Sequence, residues 1–326
     1  MAQLIDGPVF AIDGEVFQWQ DVFAHAQVTG RWAELERAAR EGLACAAHAD
    51  TRTAEQESLD AIVEAAGDEF RYDRDLLTAD EMEQWLESRG LTARTWLEAV
   101  RRRVLRERWA GEAAGLVARY APSADDVETA LAADLVCSDV HATLAHELAE
   151  VAAAAAAAPA GEAPAGDRLE ALRDAAARFR RGAVTDEALR KEIAMHQMDW
   201  VKIDCRAVEF ALEAEAREAA LCLREDGMPL EDVARDAHVG VGVLSFYLEE
   251  VSGDDRSRFL ASHAGDVVGP IPVDDVHVLY RVDRKVMPGP EDPGVVARAV
   301  ELVAARAVSV EVQRRVQWLA DAARTV

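Results

Sequence analysis

From Val276 to Asp283, the β-branched and aromatic residues Val276, Val278, Tyr280 and Val282 alternate with His277, Leu279, Arg281 and Asp283. A period of two with β-branched and aromatic side chains predicts a strand, the clearest in the chain. A strand carries unpaired backbone groups along both edges and needs partners. Val201–Val208 is the other convincing candidate, and a helix-like stretch over 209–225 lies between the two. Gly269-Pro270, just ahead of the strand, predicts a turn or loop. Together these pieces predict a small α+β unit inside a chain that otherwise reads as helical.

Upstream, Val9–Ile12 and Glu15–Val16 flank Asp13-Gly14, a hairpin signal between two short strands. From Trp19 to about His48, apolar residues recur at three and four, the period of an amphipathic helix. Thr53 with Gln56 predicts a capping box for a helix carrying Leu59, Ile62, Val63 and Ala66, and Thr78 with Glu81 predicts another. That second helix ends at Arg89-Gly90, a basic last residue followed by a C′ glycine. Thr92 opens the next, with Trp96, Leu97, Val100, Val104, Leu105 and Trp109 on its apolar stripe. A further helix is predicted from Ala124 to about Ala158.

Residues 159–166, PAGEAPAG, hold too many Pro and Gly for a regular element and predict an exposed linker, into which the seven preceding alanines fray. Short amphipathic helices follow over 169–181 and 186–197. A last long helix is predicted from Val295 to Ala322, with its apolar side led by Val296, Val300 and Val303.

The net charge of −25 argues against a nucleic-acid partner, which needs clustered Lys and Arg, and against an anionic membrane surface. No apolar run approaches the ~20 residues of a membrane span, and no signal-peptide pattern opens the sequence, so a cytoplasmic protein is expected. Cys45, Cys137, Cys205 and Cys222 lie far apart without C-x-x-C spacing and read as small buried apolar residues. The eight histidines show no metal-ligand spacing, His141 and His146 being five apart. Neither a metal nor a cofactor is expected. Gly240-Val241-Gly242 lacks a phosphate-loop context and reads as a flexible loop.

Several of these pieces resemble the parvulin-type peptidyl-prolyl isomerases. They are a first strand, a helix ending in Arg224-Glu225-Asp226-Gly227, the turn and short helix of Leu230–Ala234, then Phe259-Leu260, Gly265-Asp266, Gly269-Pro270 and the closing Val276-His277-Val278. The N-terminal helices, opening on Ile12-Asp13-Gly14-Glu15-Val16, resemble the helical chaperone domain that precedes such units in SurA-like proteins. Asp68-Glu69-Phe70-Arg71, Leu76-Leu77-Thr78, Trp85-Leu86, Arg89-Gly90-Leu91-Thr92 and the Met287–Pro293 segment are similar to the parvulin-related proteins that accompany ribosomally made, post-translationally modified peptides.

The resemblance implies a mainly helical α+β protein. Residues 1–197 would be a helical chaperone-like domain, 198–287 a small degenerate parvulin-like domain, and 288–326 a C-terminal helix returning to pack on the helical domain. It also implies two histidines facing each other across the sheet, with a Cys or Asp nearby. His277 stands at the second histidine position, but Val201–Cys205 holds no first one. Asp236 or His238 is all that is available for the Cys/Asp position. His277 therefore reads either as the remnant of an isomerase site or as a satisfied histidine on a sheet.

The function expected from this is binding of an extended peptide, a precursor peptide in maturation, without full isomerase activity. Phe246, Tyr247, Phe259 and His277 would line the groove. Arg102 and Arg103, within the basic run 101–108, are either helix-surface charges paired to acidic neighbours or a dock for an acidic leader peptide. An active cytoplasmic isomerase, and a structural partner of peptide-modifying enzymes, remain as alternatives. The oligomeric state is open, a homodimer included.

Overall fold

A computed structural model describes residues 7–159 and 167–319. Of the 159–166 segment only Pro159 lies among them. The chain is a mainly helical α+β protein with two small antiparallel sheets. It opens with β1 (Pro8–Ile12) and β2 (Glu15–Gln18), joined at Asp13-Gly14, both with positive φ (51° and 88°) as the tight turn requires. The helices α1 (Trp19–Val28), α2 (Arg31–Asp50), α3 (Gln56–Tyr72), α4 (Ala79–Ser88), α5 (Ala93–Arg108) and α6 (Ala113–Tyr120) follow. Then come α7 (Ala124–Cys137), α8 (Val140–Ala157), α9 (Arg168–Ala183) and α10 (Asp186–Met195). The second half holds β3 (Lys202–Phe210), α11 (Glu213–Arg224), α12 (Leu230–Asp236), β4 (Val241–Tyr247), α13 (Gly253–Ala261), β5 (Val267–Val273) and β6 (Val276–Val286). It closes with α14 (Pro293–Arg315) and β7 (Val316–Trp318).

Local signals set many of these boundaries. The Thr78 hydroxyl accepts from the Glu81 N–H (3.2 Å) and the Thr78 N–H donates to the Glu81 carboxylate (2.8 Å), closing the capping box. Thr92 caps α5 in the same way, with Thr95 as its reciprocal partner. At Thr53 the expectation fails: 53–55 form a 3-10 turn, and α3 begins at Gln56 without a side-chain cap. The helix expected over 19–48 breaks at Gly30 (φ 80°), and the one expected over 124–158 breaks at Asp139 (φ 56°).

The chain divides into two compact units, residues 1–179 with 308–326, and residues 180–307. The division falls at Phe179 and Ala307 rather than at 197 and 287. The Glu192 carboxylate, 1% exposed, takes a two-pronged bond from Arg306 (2.5 and 2.8 Å), which ties α10 and the first part of α14 to one another.

In the first unit, β1 pairs with β2 on one edge and β7 on the other, with Phe10 opposite both Phe17 and Trp318. The helix expected to reach Ala322 thus stops at Arg315, because the following residues complete this sheet. The core gathers Phe10, Phe17, Val22, Leu131, Leu144 and Leu148. The alanine run does not fray: Ala152, Ala153 and Ala154 are each at most 2% exposed, and their small side chains seat α8 against β1 and α9.

In the second unit a four-stranded antiparallel sheet has the order β4-β3-β6-β5. On one face α11 and α12 cover Val208, Phe210 and Leu279. On the other, Phe259 of α13 packs with Ile203, Cys205, Val268, Ile271 and Val282. The first strand, the helix after it, the short helix and the closing strand expected over 201–283 are present as β3, α11, α12 and β6, while Gly240-Val241-Gly242, expected as a flexible loop, leads into β4.

Candidate functional site

The site is built from the second face of that sheet. Side chains alternate along β6, so Tyr280 and Val282 point to the α13 side while His277 and Leu279 point to the α11 side. Phe246 pairs with Ile203 in the ladder and shares its face. There, Phe259 stands between Phe246 (ring centroids 5.2 Å) and Tyr280 (5.3 Å), each meeting it edge to face. Lys285 fixes α13 from below: its ammonium donates to the carbonyls of Phe259 (3.0 Å), Leu260 (2.7 Å) and Ser262 (2.9 Å), occupying the helix C-terminus. Burial lowers the Lys285 pKa.

Beside the aromatic cluster lies a cleft of about 360 Å³ lined by Leu244, Phe246, Val251, Ile271, Pro272 and Tyr280, with Glu250 and Asp255 at its rim. Its volume suits a few side chains of an extended segment. Burial raises the Tyr280 pKa, so the phenol stays protonated and can donate into the cleft. Cys205, on the cleft side of β3, has its thiol pushed up to about 11, chiefly by burial. It is a packed thiol and not a nucleophile.

The two edges of the sheet differ. Along β5, Pro270 and Pro272 lack N–H groups, and Arg224 donates to the carbonyls of Val267 (3.0 Å) and Gly269 (2.6 Å). Gly269 (φ 118°) is required there, since a Cβ would lie 2.6 Å from the Val278 oxygen. That edge is closed to a further strand. Along β4 no such device exists among the described residues. The strand pairs only with β3, contains neither Pro nor a charged side chain, and exposes Val241, Val243 (82%) and Leu244 (43%). An open, apolar edge next to an apolar cleft is a template for an added strand.

The structure separates the residues expected to act together. Phe246 and Phe259 share the cleft, but Phe259 is 2% exposed and serves mainly as its buried floor. Tyr247 faces the opposite way. It is 9% exposed, packs on Trp200, Val295 and Ala299, donates to Asp292 (3.0 Å) and lies under the Arg298 guanidinium. His277 also lies on the opposite face, paired with Phe210, and its Nδ1 is buried without a partner. Asp236 and His238 end α12 and its following turn, and no described bond joins them to His277.

In the first unit Arg102, 8% exposed, donates from Nη2 (2.6 Å) and Nε (3.1 Å) to Asp134 and from Nη2 to the Ala130 carbonyl (3.3 Å). It is a structural ion pair and unavailable to a leader peptide. Burial pushes the Asp134 carboxyl up, against the pull of Arg102. Arg101 pairs with Asp50 (2.6 Å) and Arg108 with Glu55 (3.9 Å). Of the two arginines expected to bind peptide, Arg103 is exposed.

Sequence reasoning missed Leu244, Ile271, Pro272 and Tyr280. Tyr280 was legible, since it shares the alternation of Val278 and Val282. Leu244 was hidden because Gly240 and Gly242 make the start of β4 look like a loop. Among the described residues no group of His, Cys, Asp and Glu is arranged to hold a metal ion.

No protein-family model matches the chain, and no curated protein matches it. Among solved structures it is similar to the crystal structure of foldase protein PrsA from Streptococcus pneumoniae. That likeness has 10% sequence identity, covers 94% of this chain and 90% of the other, and has a TM-score of 0.28. Among the described residues no helix is long and apolar enough to cross a membrane.

Proposed function

We propose that the protein is a parvulin-like chaperone that holds an extended peptide without isomerising it. The observation that carries this reading is the pairing of the open β4 edge with the aromatic cleft. A bound strand would take main-chain hydrogen bonds from β4 and lay alternate apolar side chains against Leu244 and Phe246, on the β4 side of the cleft. Isomerisation has to lower a barrier of ~18–20 kcal/mol with donors and charges aimed at the twisting amide. The cleft offers the Tyr280 phenol, with the carboxylates of Glu250 and Asp255 only at its rim, and the one histidine of the closing strand faces away.

The client in this reading is a precursor peptide in the maturation of a ribosomally made peptide product, in a cytoplasmic setting. The sequence likeness at Asp68–Arg71, Trp85-Leu86 and Arg89–Thr92 supports that finer assignment. The test uses the full chain and a fluorescein-labelled extended heptapeptide with aliphatic side chains at alternate positions. Leu244→Asp places a charge on an exposed cleft residue and should weaken binding at least about tenfold, or ~1.4 kcal/mol. Unchanged affinity with an intact fold would remove the cleft from the function.

A further inference from the structure

The first unit carries a second groove, formed by α3, α4 and the start of α5, that is independent of the cleft above. Its floor is apolar: Val63 and Gly67 from α3, Met82 and Leu86 from α4, Trp96 and Leu97 from α5. The Trp96 indole lies directly over Gly67, where an added Cβ would meet it at an ordinary contact distance of 3.4 Å. Leu97 is 44% exposed, which is high for a residue beside a hydrophobic floor. The groove is open along its length and encloses about 940 Å³.

Its walls are acidic. Asp60, Glu64 and Asp68 succeed one another every four residues along α3, and Glu83 and Glu87 do the same along α4. Residues four apart share a helix face, so each helix presents a row of carboxylates to the groove. The two arginines in the lining do not balance them. Arg101 is bound to Asp50, and Arg71 donates to the carbonyls of Leu76 (3.3 Å) and Leu77 (3.4 Å) with Asp68 at 3.9 Å. Among the described residues no cation pairs with Glu64, Glu83 or Glu87.

We infer that this groove is a docking site for a cationic amphipathic helix of a partner protein or peptide. An apolar floor between carboxylate rows complements a helix with one apolar stripe flanked by Lys or Arg. The apolar stripe would cover Leu97, Met82 and Trp96, and the flanking ammonium or guanidinium groups would reach the two acidic rows. An acidic segment would meet like charge on both sides.

The probes are two labelled 14-residue peptides with the same leucine stripe, one with lysine and one with glutamate on the polar face, titrated against the full chain by fluorescence anisotropy. The lysine peptide should bind at least about tenfold more tightly than the glutamate peptide, and the difference should shrink at high salt as exposed charges are screened. Glu83→Lys with Glu87→Lys should weaken the lysine peptide at least tenfold, and Leu97→Ser about threefold or more. Glu215→Lys with Glu218→Lys makes the same charge change on exposed positions of α11 and should alter affinity less than twofold.

Equal loss in the α11 pair would show that bulk charge and not the groove attracts the peptide, overturning the inference. So would equal binding of the two peptides, no binding, or an unaffected Leu97→Ser. Self-association of the chain abolished by Leu97→Ser would reassign the groove to a second copy and overturn it likewise. None of these outcomes touches β4 or the cleft, so the heptapeptide reading stands or falls separately.

Discussion

His277 lies directly opposite Phe210 in the β3–β6 ladder, and both side chains face α11. A histidine pair across this sheet would need its other member at position 210. The Phe210 ring is instead 2% exposed among Ala216, Ala219, Ala220 and Leu223, so the position serves the apolar core. Where the parvulin resemblance implies another histidine, this chain has a packed phenylalanine.

Turnover on a proline tetrapeptide should accordingly match the uncatalysed rate, and His277→Ala should leave it there. A rate clearly above background that His277→Ala removes would restore the isomerase reading.

Phe259→Ala should act on the fold before it acts on binding. Removing a ring that touches Phe246, Tyr280 and the apolar face of β3 leaves a cavity, with a cost of about 3–5 kcal/mol. Urea unfolding should move to a clearly lower midpoint, and binding measured on that variant would be confounded. Leu244→Asp, on the exposed edge, is the variant that separates binding from stability.

The helical half and the closing strand were legible because periodicity and capping are local. The hairpin at Asp13-Gly14, the capping box at Thr78 and the strand from Val276 each follow from residues within a few positions of one another. What stayed hidden depends on distant pairing. Trp318 becomes a strand residue only because β1 lies beside it, some three hundred positions away in sequence. The opening strand runs on to Phe210, five residues beyond Val201–Cys205. Alternation told which side chains of β6 share a face, but both faces are covered, so it did not tell which one met α13. Arg102 reads as one of five arginines in a basic run, and only the packing of α5 against α7 singles it out.

Arg102→Ala and Arg103→Ala should differ sharply. Removing Arg102 leaves the Asp134 carboxylate largely buried without its cation, at a cost of about 3–5 kcal/mol. Arg103 is exposed and should change stability by less than about 0.5 kcal/mol. Thermal melts of both variants check this, and equal shifts would show that the Arg102–Asp134 pair is not the structural contact.

The thiols should rank by burial. Cys137 is pushed up to about 12 and Cys205 to about 11, chiefly by burial, and burial also raises Cys45. Cys222 is half-exposed on α11. Iodoacetamide at neutral pH should therefore modify Cys222 alone in the native protein and all four thiols in urea, as mass spectrometry would show. Native labelling of Cys205 would mean that the cleft floor opens.

The first unit should lose stability as pH falls from about 7 toward 5. His25 and His141 are both 4% exposed, and burial lowers the pKa of each, with Arg173 adding to the effect at His25. His141 Nδ1 meets the Leu135 carbonyl at 3.0 Å, while His25 Nδ1 has no partner. When the chain unfolds, both rings regain an ordinary pKa near 6.5. Between that value and the lower folded one, the unfolded chain binds more protons than the folded chain, so stability rises with pH across the window. The contribution is fully present above about pH 6.5 and is lost as pH falls through it. Urea midpoints at pH 7.5, 6.5 and 5.5 should decrease in that order, and His25→Gln with His141→Gln should flatten the series even though the variant starts less stable. A double variant with the same pH slope as the parent would place the titrating groups elsewhere.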